Sequence, residues 1–158
     1  SFLWNTSVIE NIRYGRPEAS DADVMEAARK AQADDFIANL AHGHATVCGE
    51  RGSNLSGGQR QRIALSRVFL RDPRFVVLDE PMASLDPDTE SRVRSAVDKL
   101  LHGRTALIIA HRLGIVTSAD AILVLDRGEL IQHGSHQQLL EQDGLYRRLL
   151  AASQPVCA

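Results

Sequence analysis

Cysteine is scarce in this sequence, and the two present, Cys48 and Cys157, stand far apart. That spacing fits neither a disulfide framework nor a zinc site and favours a reducing setting with two free thiols. No apolar run approaches the roughly 18 to 20 residues that span a bilayer, and no signal peptide stands at the start. Membrane contact is therefore expected only through a partner. Charge of one sign is lacking as well: the net charge is −2 and the pI near 6.3, so nothing draws the whole chain to nucleic acid or anionic lipid. A phosphate would have to be held by a local site. The motif G-x-x-x-x-G-K-[ST], whose backbone amides and lysine cradle phosphates, occurs nowhere. An initiator Met is missing too, and the bulky opening Ser1-Phe2-Leu3-Trp4 predicts a chain cut from something longer.

What is present suits one globular domain or part of one: 158 residues, 44% hydrophobic and 24% charged. There is no internal repeat and no low-complexity linker. Behind a Ser20 cap, Val24, Ala27, Ala28 and Ala31 recur at helical spacing, and residues 34–40 read as a second short helix. A Gly-rich loop over 49–58 then opens a helix running to Arg71, with Ala64, Leu65, Val68 and Phe69 as its apolar stripe and Asp72-Pro73 as its stop. After it the period changes. Phe75-Val76-Val77-Leu78, Ala106-Leu107-Ile108-Ile109 and Ile122-Leu123-Val124-Leu125 are continuous apolar runs, the pattern of strands buried on both faces. Between the first two lies a helix over 88–101, facing inward through Val93, Ala96, Val97, Leu100 and Leu101 and stopped by Gly103. Strand, helix, strand predicts a parallel α/β unit. Asp126-Arg127-Gly128 predicts a turn into a returning strand over 130–133, and two short helices follow, around Leu139-Leu140 and over 146–152.

Two places carry chemistry. Asp79-Glu80 follows four apolar residues, so two carboxylates are presented at the carboxyl end of a strand, where open α/β sheets hold their ligands. Carboxylate oxygens suit the hard cation Mg²⁺, and the neighbouring acid suits orienting or deprotonating an attacking water. The competing reading is a solvated Asp-Glu-Pro turn, and DExx helicases share the acid pair. The second place is Leu55-Ser56-Gly57-Gly58-Gln59, directly before a striped helix. Unpaired helix-start amides and side-chain-free glycines there allow close approach of an anion. Ser56 and Gln59 also form a capping box that needs no ligand. The glycines weigh against the cap as the whole explanation, because Gly is a poor helix former. Arg60 and Arg62, just beyond, read as solvated, and His42, His44, His102, His133 and His136 default to the surface with no metal role.

Taken together in order, these segments resemble the ATPase (nucleotide-binding) domain of ABC transporters. Leu55 to Gln59 resembles the ABC signature, Phe75 to Pro81 the Walker B strand with its catalytic Glu, Leu85-Asp86 the end of the D-loop, and His111 the switch histidine. The resemblance covers almost the whole chain. Gly49-Glu50-Arg51-Gly52, Asn5-Thr6-Ser7-Val8 and the tail over 126–150 are most similar to exporters. It implies a partial P-loop NTPase of the ABC-ATPase α/β fold: a helical subdomain with the signature over 1–72, and over 73–158 the C-terminal half of the parallel-sheet core. It implies ATP and Mg²⁺ as ligands, Asp79 on the metal through water, Glu80 and His111 as catalytic residues, and Ser56, Gly57, Gly58, Gln59 and Asp86 facing nucleotide held by a partner's P-loop.

The implied partners are a second ABC ATPase domain, identical or not, and a transmembrane domain fused upstream, at the cytoplasmic face of a bacterial inner membrane; nucleic acid is not among them. Walker A, the adenine-stacking aromatic and the Q-loop Gln are absent, which predicts a C-terminal fragment inactive by itself. The D-loop also departs from the family, reading Ala83-Ser84-Leu85-Asp86 where Ser-Ala-Leu-Asp is usual, with Pro81-Met82 in place of Ala-Thr. Two other readings compete with a transport motor: a soluble ABC-type ATPase acting on nucleic acid or ribosomes, and a non-catalytic binding module.

Overall fold

The computed structural model describes residues 2–83, 85–110 and 113–153. The chain forms two compact units, Ser1–Leu107 and Ile108–Ala158. The first begins with α1 (Val8–Arg13), α2 (Asp21–Lys30) and α3 (Asp34–Ala38). Ser20 caps α2 through a reciprocal box with Asp23, as its sequence predicts, whereas α1 and its Ser7 cap lie in a stretch where no helical repeat is visible. The long helix α4 (Gly57–Arg71) packs on both α1 and α2. Leu3, Val8, Ile12, Ile37 and Ile63 are fully buried in the shared core. Burying each such side chain is worth about 1.5–3 kcal/mol relative to leaving it exposed.

Polar stitches fix this core. The Asn11 side chain is buried; its amide donates to the carbonyls of Trp4 and Ser7, both at 3.0 Å, and its Oδ1 accepts from the Trp4 amide at 2.9 Å. Arg67 of α4 reaches the same group, donating to Asn11 Oδ1 at 2.6 Å and to the Asn11 carbonyl at 2.7 Å. One asparagine thus ties the opening segment to the middle of α4. Cys48 is buried beside it, and burial pushes its thiol pKa up, so it is an inert core residue.

The face of α4 that is buried differs from the expected stripe. Ile63, Leu65 and Leu70 are the buried apolar residues, joined by Arg62 and Ser66, while Ala64, Val68 and Phe69 are only half-buried. Arg62 is buried and Arg60 is half-buried, and both are held by hydrogen bonds. Arg62 is 6% exposed, lies over the Phe36 ring at 4.6 Å and donates to Asp35 and to the Gln32 carbonyl; Arg60 donates back to the Leu55 and Gly52 carbonyls. Asp72 ends α4 in the left-handed conformation, φ 52°.

The strand β1 (Phe75–Asp79) and helix α5 (Pro87–Leu101) follow, and β1 neighbours β2 (Thr105–Ile109) in a two-stranded sheet. α5 buries Val93, Ala96, Val97 and Leu100, the expected face apart from half-buried Leu101. Two-sided burial of the strands is not found. In β1 Val76 and Leu78 are buried while Phe75 and Val77 are 57% and 55% exposed. Strand side chains alternate between faces, and the layers of this chain cover only one of them.

In the second unit β3 (Ile122–Asp126) pairs antiparallel with β4 (Glu129–Gly134), with an irregularity between Val124 and Leu125. Arg127 and Gly128 turn the chain with φ 48° and 84°, as the tight hairpin requires. α6 (His136–Glu141) and α7 (Leu145–Ser153) complete it around Ile122, Val124, Leu139 and Tyr146. His136 is not a free surface residue: its Nδ1 lies 2.6 Å from the hydroxyl of Tyr146, which is 1% exposed. Leu123 and Leu125 again face outward.

Candidate functional site

Ser56 stands at the start of α4 in extended conformation, with its Oγ accepting from the Gln59 amide at 3.3 Å and its own amide donating to Gln59 Oε1 at 2.9 Å. The capping box is therefore formed, and it satisfies the Ser56 and Gln59 amides without a ligand. Gly58 has a structural reason of its own: it is buried, and a Cβ there would collide with the side-chain methyl of Thr89 on α5. The packing of α5 therefore accounts for Gly58 without a ligand. Gly57 has no such neighbour. It is exposed, and the nearest atom to a Cβ built on it is an Arg60 nitrogen at 3.9 Å. Ser56 and Gly57 thus form an exposed, side-chain-poor helix start whose positive end is open to an anion.

The Gly58–Thr89 contact brings a second helix start alongside. Asp86 caps α5, its Oδ1 accepting from the Thr89 amide at 3.0 Å, and that hydrogen bond holds the Asp86 carboxyl below its ordinary pKa. Asp86 is exposed and stays ionised at neutral pH. Asp79 and Glu80 form another group at the end of β1, both exposed. Glu80 takes a left-handed conformation, φ 45°, and its carbonyl accepts from the Ala83 amide at 3.1 Å, closing a turn over buried Pro81 and Met82. A non-glycine residue held there is sparsely populated, and such residues cluster at functional sites. His111 and Ser84 lie outside the described residues. Among the described residues no group of three or more His, Cys, Asp or Glu side chains is arranged to hold a metal ion. A Mg²⁺ at Asp79 would take most of its oxygens from phosphate and water, as that ion usually does.

Sequence reasoning missed Thr89, Arg92 and the α2–α3 turn as neighbours of this region. A faint signal existed in Gly58, Arg62 and Ser66, which recur every four residues and so share one helix face.

A strand ending in two carboxylates, followed by a capped helix lying against a second capped, glycine-led helix, fits an α/β fold of the nucleoside-triphosphatase class. The chain belongs to the ABC transporter family: the family profile described as ABC transporter matches residues 1–83. It is 49% identical over 148 residues to the mitochondrial potassium channel ATP-binding subunit of Xenopus tropicalis, across 94% of this chain and 22% of that protein. It is also 49% identical to the ATP-dependent lipid A-core flippase of Alcanivorax borkumensis, across 93% of this chain and 25% of that protein. A solved structure of a bacterial Atm1-family ABC exporter with ATP bound superposes with a TM-score of 0.90 at 43% identity, covering 96% of this chain and 27% of that one. The fold is that of part of a P-loop NTPase of the ABC-ATPase class. The chain spans about a quarter of the length of these relatives.

Proposed function

We propose that this chain is the part of an ABC exporter's ATPase domain that presents the signature and the catalytic carboxylate. Pairing of two such domains around ATP would drive an attached membrane domain to export a substrate. The observation that carries this reading is the exposed Ser56-Gly57 helix start, whose open space at Gly57 no packing contact explains.

In this reading residues 1–72 are the helical subdomain and 73–158 the C-terminal part of the ATPase core. The amides of Gly57 and Gly58, with Ser56 and Gln59, face the phosphates of ATP held by the P-loop of a second ATPase domain, identical or not. Asp86 lies at the same interface. Asp79 holds Mg²⁺ through water, and its exposed carboxylate is the right donor for that hard ion. When bound, the metal neutralises charge on the transferring phosphoryl group. Glu80 orients and deprotonates the attacking water, and His111 contacts the γ-phosphate. The membrane domain would lie upstream on the same polypeptide, with the ATPase part at the cytoplasmic face of a bacterial inner membrane and no nucleic acid involved. Without a P-loop lysine the 158 residues alone should not turn over ATP.

The test is Glu80→Gln in the intact protein. Phosphate release should fall by about 10²–10⁴-fold, the usual contribution of a positioned acid or base, while ATP stays bound. Undiminished turnover would remove Glu80 from the mechanism.

A further inference from the structure

The two helix starts are held together by more than the Gly58–Thr89 contact. One turn further along α4, the Arg62 guanidinium enters the interior and donates from one nitrogen to the Gln32 carbonyl at 2.7 Å and to Asp35 at 2.9 Å. The other oxygen of Asp35 accepts from Arg92 of α5 at 2.7 Å. The Gln32 side chain donates to Ser95, one turn along α5 from Arg92, at 2.8 Å. The result is a closed ring running from α4 through the α2–α3 turn to α5 and back. Thr89, Arg92 and Ser95 are spaced by three, so each is a neighbour of the next on the surface of α5.

Three features show that the ring is built rather than incidental. Arg62 is 6% exposed, and a buried guanidinium deprived of its carboxylate would be left without compensation. Asp35 serves two arginines with separate oxygens. Gln32 has φ 54°, a conformation glycine adopts more easily, yet a glycine there would lose the bond to Ser95.

We propose that Asp35 and Arg92 are positioning residues. With Arg62 they clamp α4 to α5, so that the Ser56-Gly57 end and the Asp86 end keep a fixed register and meet a nucleotide as one surface. The clamp rests on the functional reading above only for its consequence, not for its geometry. Arg92 is half exposed, so its removal loosens the register without emptying the core.

The experiment uses the intact protein with spin labels at Ser53 and Asp88, both exposed, and its other accessible cysteines replaced. The parent should give a single narrow distance, Arg92→Gln a broadened one, and Arg92→Lys, which can still pair with Asp35, a narrow one again. ATP turnover should follow: Arg92→Gln lowers kcat about three- to tenfold with KM within about twofold, and Arg92→Lys keeps most of the parent rate. A parent-like distance distribution in Arg92→Gln overturns the clamp. A broadened distribution with parent-like kcat overturns the positioning role. If Arg92→Gln does not fold, Arg92→Met, which keeps the apolar stem and removes the pairing with Asp35, draws the same distinction. Turnover that survives Glu80→Gln in the same preparation would fault the functional reading instead, and the distance measurement would still judge the clamp.

Discussion

The starts of α4 and α6 carry the same cap and differ in everything around it. In each a serine is followed three residues later by glutamine, and in each the serine amide donates to the glutamine Oε1 at 2.9 Å while the glutamine amide reaches the serine Oγ at 3.3 Å. A capping box therefore marks a helix start and nothing more. What sets α4 apart is Gly57-Gly58 where α6 has His136-Gln137. Gly58 lets α5 come close, and Gly57 leaves the helix end bare. α6 instead turns its first residue inward, to the hydroxyl of Tyr146. The same local chemistry serves a candidate site at one helix and core packing at the other.

The largest difference between the two helix starts lies at Gly58. Adding a methyl in Gly58→Ala drives it into Thr89 and should cost about 1–3 kcal/mol in urea unfolding, the usual cost of overpacking. Thr89→Ser removes the obstructing methyl and should recover most of that loss in the double variant. The caps come next. Ser56→Ala and Ser135→Ala should each cost about 1 kcal/mol, and by equal amounts, because their geometry is the same; Asp at either position is as good a cap and should restore the loss. The smallest effect concerns Asp86. Its carboxyl is held below the ordinary value of 3.8, so its contribution to stability is complete above that pH and disappears as the pH falls through the lower folded-state value. Asp86→Asn keeps a cap but cannot titrate, so the parent should lose stability relative to this variant only below about pH 4, read by unfolding at pH 5 and pH 3.

Much of the fold was legible because its signals are local. Ser20, Ser56 and Asp72 mark helix ends through their own backbone needs, and the apolar runs at Phe75, Ala106 and Ile122 locate β1, β2 and β3 to within a residue. Two-sided burial was not legible, because an apolar residue such as Val77 or Leu123 shows what it would prefer to touch and not what the chain provides. Likewise Gly58 reads locally as an anion site, since its packing partner Thr89 lies far along the sequence and on another helix. Arg62 read as a solvated charge for the same reason. Its carboxylate, Asp35, comes from α3 and its stacking ring, Phe36, from the residue beside it. Of the candidate site, Ser56, Gly57, Asp79, Glu80 and Asp86 stand out in the sequence as candidates, and the structure adds which helix faces hold two of these groups together.

In the proposed function the start of α4 faces a nucleotide and that of α6 does not, and twin aspartates distinguish the two. Ser56→Asp and Ser135→Asp both preserve the cap, so both proteins should unfold like the parent. In the intact protein Ser56→Asp places a negative charge where phosphate is expected and should lower ATP turnover at least about tenfold, while Ser135→Asp leaves it unchanged. Equal turnover in the two variants would mean that the start of α4 does not face phosphate.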